Sequence, residues 1–344
     1  MPNPGSNPTP LDRRPVTGTV VHSITAGAVH RHETAELPDL LAGDALVWVD
    51  VAACDEAARR MLADVFGFHP LAVEDSARRN AVPKVHVYRD HVFVVLHAPE
   101  RGHGGHVHTL ELDQFVGERF LVTVHGPVSE VLDARTALAD TDGVLERLIA
   151  GRTRPTSGAE LSAAVVGALI RRLLRHLEEL TAETWKLERT VTSGHYGDAE
   201  GFLEEMFRVR HGLLTLTTMA TLDHEVYARA IRPRPGAAEA EQLAATDIVD
   251  QLARIATMAD TQETYLQGVI EFYQTRTNTK MTVAAERLAV IAGVTLPVTA
   301  LSSILGMNVI VNSETNWGWL IVLLLAMAAM SALMLSWARR RGWW

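Results

Sequence analysis

The C-terminal part of the sequence carries hydroxyl-bearing side chains in and beside a long apolar run. No charged residue occurs between Arg287 and Glu314. Small and hydroxyl side chains recur here at steps of three or four residues and share one helix face, with Leu288 beside them: Thr282, Ala285, Ala289, Ala292, Leu296 and Thr299. This face could line a pore, in which Thr299 offers hydroxyl groups and Leu288 and Leu296 form apolar constrictions. The alanines fit helix packing in lipid equally well, so both interpretations stay open for them.

Two apolar runs of this kind lie next to each other. Leu288 to Gly306 and Trp317 to Trp337 each reach the roughly 20 residues that a transmembrane helix needs. Basic residues flank them as Lys280 and Arg287 on one side and Arg339, Arg340 and Arg341 on the other, while the loop between them has no Lys or Arg. The positive-inside rule then predicts a multi-pass plasma-membrane protein with both termini in the cytoplasm.

Composition excludes several other classes of protein. The net charge of −9 argues against a nucleic-acid partner, which would require a basic face. Cys54 is the single cysteine, so no disulfide can form within the chain. There is no nucleophile–base set, phosphate loop or HExxH motif, so we expect no enzymatic activity. Residues 1–16 are rich in Pro, Asn and Gly, and we expect them to be a disordered cytoplasmic tail rather than a signal peptide.

The sequence before the apolar runs predicts an α/β domain over residues 17–157. Strands are predicted at Ala45–Val51, at Val85–Tyr88 with His91–Leu96, and at Val107–Val116 with Phe120–Val124. Predicted helices follow Asp55 and Pro70 and cover Val128–Leu138 and Val144–Ala150.

From about residue 158 the pattern is helical throughout. We predict helices over Ala159–Thr192 and Ala199–Arg229, followed by a third that starts near Ala237 and reaches Gly306. Residues 158–285 would form a helical stalk, 286–307 a first transmembrane helix, 308–316 an outer loop, 317–338 a second transmembrane helix and 339–344 a basic cytoplasmic tail. The predicted fold class is therefore an α+β membrane protein. Two helices cannot enclose a polar path, so conduction would require an oligomer.

Gly306–Met307–Asn308 ends the first apolar run, and Pro297 lies nine residues before this triplet. The order of helix, proline, triplet, short loop, second apolar run and basic tail closely resembles the CorA family of magnesium channels. Two cytoplasmic motifs are similar to that family as well, namely His69 to Asp75 followed by Pro83–Lys84–Val85, and Asp247 to Asp250.

The resemblance implies a funnel-shaped homopentamer in which Gly306, Met307 and Asn308 form the selectivity filter for Mg²⁺. Mg²⁺ loses its water reluctantly, so an Asn308 amide oxygen that binds the hydrated ion suits such a filter. Glu314 would add an outer acidic ring that concentrates cations. Thr282 and Ala285 stand where the family often carries Asn and Met, so the inner gate is expected to differ in polarity and width.

The resemblance also implies a regulatory metal site in the cytoplasm, formed by Asp247 with Asp75 and Glu74 of a neighbouring subunit. Mg²⁺ would be both substrate and regulator, because bound metal holds the subunits together and the pore shut. Solvated helix acids are the alternative interpretation of these residues. Gly167, Arg171 and Arg172 replace acids that the family tends to carry, so a second metal site is expected to be absent or replaced by an arginine contact.

Two other functions stay open at this stage. A Co²⁺, Ni²⁺ or Zn²⁺ transporter of the same superfamily would share the fold, although Met307 favours magnesium and soft metals prefer His or Cys along a pore. A membrane-anchored sensor without transport would explain the apolar runs but not the triplet or Thr299.

Overall fold

The computed structural model describes residues 18–25, 28–102, 107–127, 134–194, 198–230, 239–306 and 317–340. The chain divides into two compact units, the first reaching Gln267 and the second starting at Gly268. We describe each unit by itself.

A seven-stranded sheet is the centre of the first unit. Its strands follow one another in space as β2, β1, β3, β7, β6, β5 and β4. The β3–β7 pair is parallel and the other pairs are antiparallel. The strands are β1 (Thr19–Thr25), β2 (Ala28–His32), β3 (Leu46–Val51), β4 (Lys84–Val87), β5 (His91–Arg101), β6 (Val107–Gly117) and β7 (Phe120–Val124).

Most of these strands agree with the sequence-based prediction, and two were missed. The prediction for β3 to β7 is confirmed, including the turns at Arg89–Asp90 and at Gly117–Glu118. β1 and β2 were not predicted. In β1 the polar side chains of His22 and Ser23 are buried, which hides the alternation that usually identifies a strand.

Short helices cover the sheet and complete its core. They are α1 (Leu37–Ala42), α2 (Glu56–Arg60, continued by a π-turn over Met61–Val65), α3 (Pro70–Ala77) and α4 (Ala134–Ile149). Phe68 is buried beneath them, its ring stacked at 4.2 Å on that of Phe115. The predicted break before Val144 is wrong, because α4 continues through Gly143, a residue that a helix tolerates at about 1 kcal/mol. Residues 128–133 of the predicted helix lie outside the described residues.

Two long helices complete the packing on the sheet. They are α5 (Gly158–Ser193) and α6 (Ala199–Ala230), close to the predicted bounds. α5 starts against the β6–β7 turn, where the Gly158 amide donates to the Glu118 carbonyl at 2.9 Å and a Cβ atom would collide with the Gly117 carbonyl. α6 is held to the sheet by Asp223, which accepts a 3.0 Å hydrogen bond from the His97 amide of β5.

The last two helices are α7 (Glu239–Gly306, 68 residues) and α8 (Trp317–Arg340, 24 residues). α7 continues through Pro297, as the sequence predicts. The second unit contains α7 from Gly268 onward together with α8. In the described part of the chain, one helix, between Gln242 and Ser303, passes a test of length and apolar composition for crossing a membrane.

Candidate functional site

The predicted pore-facing side chains lie on the exposed side of α7. Val290 is buried, and Glu286, Val294 and Pro297 are half-buried, which defines a covered face. At about 100° per residue, the predicted stripe is centred on roughly the opposite side of the helix. Every member of that stripe is exposed in the single chain: Thr282, Ala285, Leu288, Ala292, Leu296 and Thr299. The stripe is therefore available to contact another helix or to line a space.

Threonine hydroxyls on this part of α7 are oriented by their own helix. The Thr299 hydroxyl donates to the Thr295 carbonyl at 2.8 Å, and the Thr282 hydroxyl donates to the Asn278 carbonyl at 3.0 Å. With its hydrogen used in this way, each hydroxyl oxygen keeps lone pairs that can accept a hydrogen bond from water. A hydrated cation presents its water hydrogens outward, so these oxygens suit contact with the ion's hydration shell.

Thr295 belongs to the same hydroxyl series and was missed by the sequence analysis. Its hydroxyl donates to the Ile291 carbonyl at 2.9 Å, and its own carbonyl is the acceptor for Thr299. The four-residue spacing of Thr295 and Thr299 is a signal that could have identified it, because i and i+4 side chains are neighbours on a helix.

Pro297 changes the backbone of α7 four residues beyond Gly293. A proline has no amide hydrogen, so Pro297 cannot make the usual helical bond to the Gly293 carbonyl. Gly293 has no side chain to cover that oxygen, and no atom lies within 4 Å of where its Cβ would be. The Gly293 carbonyl therefore lacks its usual helical donor in the uncharged part of the helix.

The predicted filter is described only at its first residue. Gly306 is the last helical residue of α7. Met307, Asn308 and Glu314 lie outside the described residues. Their roles remain predictions, and the structure contributes the helix that leads to them.

The predicted acidic site begins with α3, whose position is set by both of its ends. His69 caps the start through its Nδ1 atom, which accepts from the Leu71 amide at 3.2 Å, and Pro70 occupies the first turn. At the other end the Asn80 amide group donates to the Asp75 carbonyl at 2.9 Å. The carboxylates of Glu74 and Asp75 are therefore carried on a helix that is fixed at both ends.

Each predicted acidic ligand has a partner within its own chain. Asp75 accepts from the Lys84 ammonium at 2.8 Å, and Glu74 pairs with Arg78 at 2.7 Å. Asp247 is exposed on α7 and accepts from the Gln251 amide at 2.5 Å. Within one chain the described residues include no group of three or more His, Cys, Asp or Glu side chains arranged to hold a metal ion.

Two buried carboxyl groups on β6 support α3 from below, and the sequence analysis missed them. Glu111 accepts from the Asn80 backbone amide at 2.8 Å and from the Asn80 side chain at 2.5 Å. Asp113 lies beside Glu111 and Ser76 and is fully buried. Burial raises the pKa of Glu111, and burial together with the charge of Glu111 raises the pKa of Asp113 well above its usual range. Glu111 thus fixes the loop that follows α3 through Asn80.

Large apolar side chains are exposed on both helices of the second unit. On α7 they include Leu288, Ile291 and Leu296. On α8 they include Ile321, Val322, Leu324, Leu325, Leu333 and Trp337. Exposed apolar surface of this extent is typical of a membrane or protein contact rather than of a surface in water.

Comparison with known proteins adds three findings. A family model for CorA-like Mg²⁺ transporter proteins matches residues 43–340. The putative metal ion transporter YfjQ of Bacillus subtilis is 26% identical over 318 residues, which cover 90% of this chain and 92% of that protein. The cobalt/magnesium transport protein CorA of Thermotoga maritima is 24% identical over 302 residues, covering 86% and 83%.

The fold is also similar to a solved structure. The complete structure of the CorA magnesium transporter from Methanocaldococcus jannaschii superposes with a TM-score of 0.77 at 16% identity. The match covers 95% of this chain and 99% of that chain. The architecture of an N-terminal α/β domain followed by a long helix is therefore shared.

Proposed function

The chain belongs to the family of CorA-like Mg²⁺ transporter proteins, and from this premise we propose that it forms a homopentameric, potential-driven Mg²⁺ uptake channel in the plasma membrane. Membership of this family makes it a divalent-cation transporter rather than an enzyme. The observation that carries the finer proposal is the C-terminal part of α7, in which an exposed hydroxyl-bearing stripe leads to Gly306.

In the proposed channel five copies of α7 surround the ion path. Thr299 binds water molecules of the ion, and Leu288 and Leu296 form apolar constrictions that close the path by excluding water. Ala292 lines the path between these two constrictions, and Thr282 and Ala285 line it on the cytoplasmic side of Leu288, leaving it wide enough for a hydrated ion. α8 contacts lipid, which agrees with its exposed apolar side chains.

The proposed topology has two spans. Residues 286–307 and 317–338 cross the bilayer, residues 308–316 form the outer loop, and both termini remain in the cytoplasm. Support comes from the basic residues beside each run and from Arg339 and Arg340 in the last turn of α8. Residues 17–157 would form the cytoplasmic α/β domain and residues 158–285 the stalk.

The proposed filter holds a hydrated ion at the outer end of α7. Gly306, Met307 and Asn308 form a ring in which the Asn308 amide oxygens accept hydrogen bonds from the ion's water. Glu314 concentrates cations at the entrance. Mg²⁺ is the proposed main substrate, with Co²⁺ and Ni²⁺ as further candidate ions.

Closure by cytoplasmic Mg²⁺ is the proposed regulation. The ion binds between Asp247 of one subunit and the Glu74 and Asp75 carboxylates of the next. Lys84 and Arg78 neutralise the α3 acids when metal is absent. They therefore weaken the repulsion between empty carboxylates and compete with the metal for them.

No nucleotide is needed to drive this uptake. A divalent ion gains about 4.6 kcal/mol on moving inward through 100 mV, twice the value for a single charge. An inside-negative membrane potential is therefore a sufficient driving force for a passive channel.

Flux into liposomes tests this proposal. We expect purified wild-type chain to admit Mg²⁺ under an inside-negative potential, and Asn308→Ala to reduce the flux by at least about tenfold, the loss expected for a filter ligand. Asn316→Ala is a matched control in the same loop and should retain the flux. If the folded wild-type oligomer passes no divalent ion, the channel proposal is wrong and the sensor is favoured. A Zn²⁺ flux well above the Mg²⁺ flux would instead favour the zinc-transporting alternative.

A further inference from the structure

A depression of about 440 Å³ lies on the first unit, where the end of β5 meets α4 and α5. Charged side chains line most of it. They are Glu100 and Arg101 from β5, Arg135 from α4, and Arg172, Arg175, His176 and Glu179 from α5. Sites for small molecules typically measure about 300–1,000 Å³, so the volume suits a ligand rather than a single ion.

Arg172 forms the fixed floor of this depression. Its Nε atom donates to Asp140 at 2.7 Å, one Nη atom donates to Glu100, and the other donates to the Thr136 carbonyl at 2.9 Å. Arg172 is only 7% exposed, so the guanidinium is held rigidly and its charge is compensated.

The acids of the depression are already paired with arginine. Glu179 lies 3.8 Å from Arg101, which also donates to Glu183 at 2.7 Å, and Glu100 is bound by Arg172. These carboxylates are therefore neutralised by arginine, and the depression offers little uncompensated negative charge to a bound metal cation.

The remaining cations are crowded together on the same side of α5. No carboxylate among the described residues lies within ion-pair distance of Arg175, which is exposed. Burial lowers the pKa of Arg171, and the neighbouring charges of Arg147 and Arg175 lower it further, against an opposing effect of Asp140. Among the arginines that line the depression, Arg175 thus carries a positive charge that no carboxylate of the described residues pairs with.

His176 supplies a second and independent feature. It lines the depression and is 8% exposed, and its Nε2 atom is buried without a hydrogen-bond partner. A buried polar atom without a partner costs free energy that a bound acceptor or donor would recover. His176, whose Nδ1 atom lies 3.7 Å from Glu179, thus keeps an unused hydrogen-bonding position in its ring at the depression.

We propose that this depression binds the phosphate groups of a small anionic ligand of about nucleotide size. The planar guanidinium of Arg175 binds two phosphate oxygens at once, which an ammonium group cannot do. His176 Nε2 donates to a third oxygen. This site lies outside the ion path and the acids Glu74, Asp75 and Asp247, so the proposal does not depend on transport.

Calorimetric titration of the full-length chain in detergent tests the proposal. The probes are orthophosphate, pyrophosphate, AMP and ATP, each at the same free Mg²⁺ concentration and ionic strength. We expect saturable binding that strengthens from one phosphate to three, and a loss of roughly tenfold in Arg175→Ala. Arg189→Ala removes an exposed arginine from the same helix outside the depression and should bind as the wild type does.

Three results would overturn the proposal. The first is that no phosphate probe binds saturably. The second is that Arg175→Ala and Arg189→Ala lose the same amount of affinity. The third is that sodium chloride at matched ionic strength releases as much heat as the phosphate probes do. The last two would show that the arginines act only as a diffuse positive surface. Because Arg175 is exposed, loss of folding is not expected to obscure the comparison.

The pH dependence gives a second readout that a nonspecific charge effect would not produce. Burial lowers the pKa of His176, as does Arg101, whereas Glu179 and Glu183 oppose this shift. A bound anion favours the protonated ring, so His176 should strengthen wild-type binding as pH falls from 8 to 5.5. The phosphate ligand itself also titrates in this range, equally for every variant. The comparison is therefore between the slopes of binding affinity against pH for the wild type and the variant. His176→Gln should lose this contribution, and an unchanged slope would contradict the assignment of His176.

Discussion

The two units of the chain place their polar groups in opposite ways. The first unit buries acids inside the fold and binds several of them there, as Asp50 accepts from Thr123 at 2.6 Å and lies 2.9 Å from His125. The second unit has no charged residue between Arg287 and Glu314, and its threonines bond to their own helix while facing outward. The first arrangement defines a structure within one chain. In the proposed channel, the second arrangement acts only when other chains and lipid surround it.

The largest expected effect concerns stability of the first unit. Phe68 is 3% exposed and stacks on Phe115, so Phe68→Ala should reduce the free energy of unfolding by about 3–5 kcal/mol through lost burial and a cavity. Thermal or denaturant unfolding of the purified chain measures it. Phe207→Ala is the matched control, because Phe207 is exposed, and it should change stability by less than about 0.5 kcal/mol. Equal losses in both variants would contradict the account of the core.

Flux through the proposed path of the second unit should depend on the charge of the side chains that line it more than on their volume. Thr299→Lys would place a ring of ammonium groups in the proposed path and should reduce Mg²⁺ flux by roughly a hundredfold, since like charges repel strongly in a narrow site. Thr299→Ser retains the hydroxyl and should keep most of the flux. Liposome flux measures both, after size-exclusion chromatography has shown that the oligomer is intact. A Lys variant that conducts normally would show that Thr299 faces lipid or another helix.

Asp223 tests whether the buried acids of the first unit are neutral. Burial raises its pKa well above the usual range, so the folded state holds a proton that the unfolded state releases. Wild-type stability should therefore fall as pH rises from about 4 toward the folded pKa. Asp223→Asn should match the wild type near pH 4 and exceed it at pH 8 by on the order of 1 kcal/mol. Asp260→Asn changes an exposed acid and should follow the wild type at both pH values.

The sequence predicts the regular part of the fold well and the buried polar contacts poorly. β3 is recognised because Leu46–Val51 is an apolar run, and the start of α2 because Asp55 accepts from the Ala58 amide as an N-cap. Asn80 and Glu111 are 31 positions apart, and their hydrogen bond exists only once β6 passes beneath α3. No local pattern could reveal that pair.

The stripe on α7 was predictable for the opposite reason. Its residues are related by helical periodicity alone, so spacing in the sequence is enough to place them on one face. Thr295 could have been found in the same way from its four-residue spacing to Thr299, whereas spacing does not give the direction of a hydroxyl hydrogen bond. The functional triplet was noticed as a motif, yet Met307 and Asn308 lie outside the described residues and their roles remain predictions.

The acids of the first unit are the proposed regulators of the ion path in the second. Half-inhibition of the flux should require a several-fold higher internal Mg²⁺ concentration in Asp247→Asn than in the wild type, because a carboxylate binds Mg²⁺ more strongly than an amide. Asp250→Asn is a matched control, since Asp250 is also exposed and lies nearly one turn along α7. Flux measured against internal Mg²⁺ separates the two variants. Equal behaviour of both would favour the interpretation that these are solvated helix acids.

The smallest expected effect concerns the hydroxyl series of α7. Thr295→Val keeps the shape and removes one hydroxyl, so it should change Mg²⁺ flux by no more than roughly twofold, because the remaining water contacts compensate. Thr299→Val should lower flux more, since Thr299 is closer to Gly306 and lies within the stripe. The double variant should lower it beyond the product of the two single effects if neighbouring hydroxyls bind the same hydrated ion. Liposome flux at low external Mg²⁺ measures the three variants. If the effects simply multiply, each threonine acts alone. The second unit would then have no coupled polar contacts of the kind that Asp50, Thr123 and His125 form in the first unit.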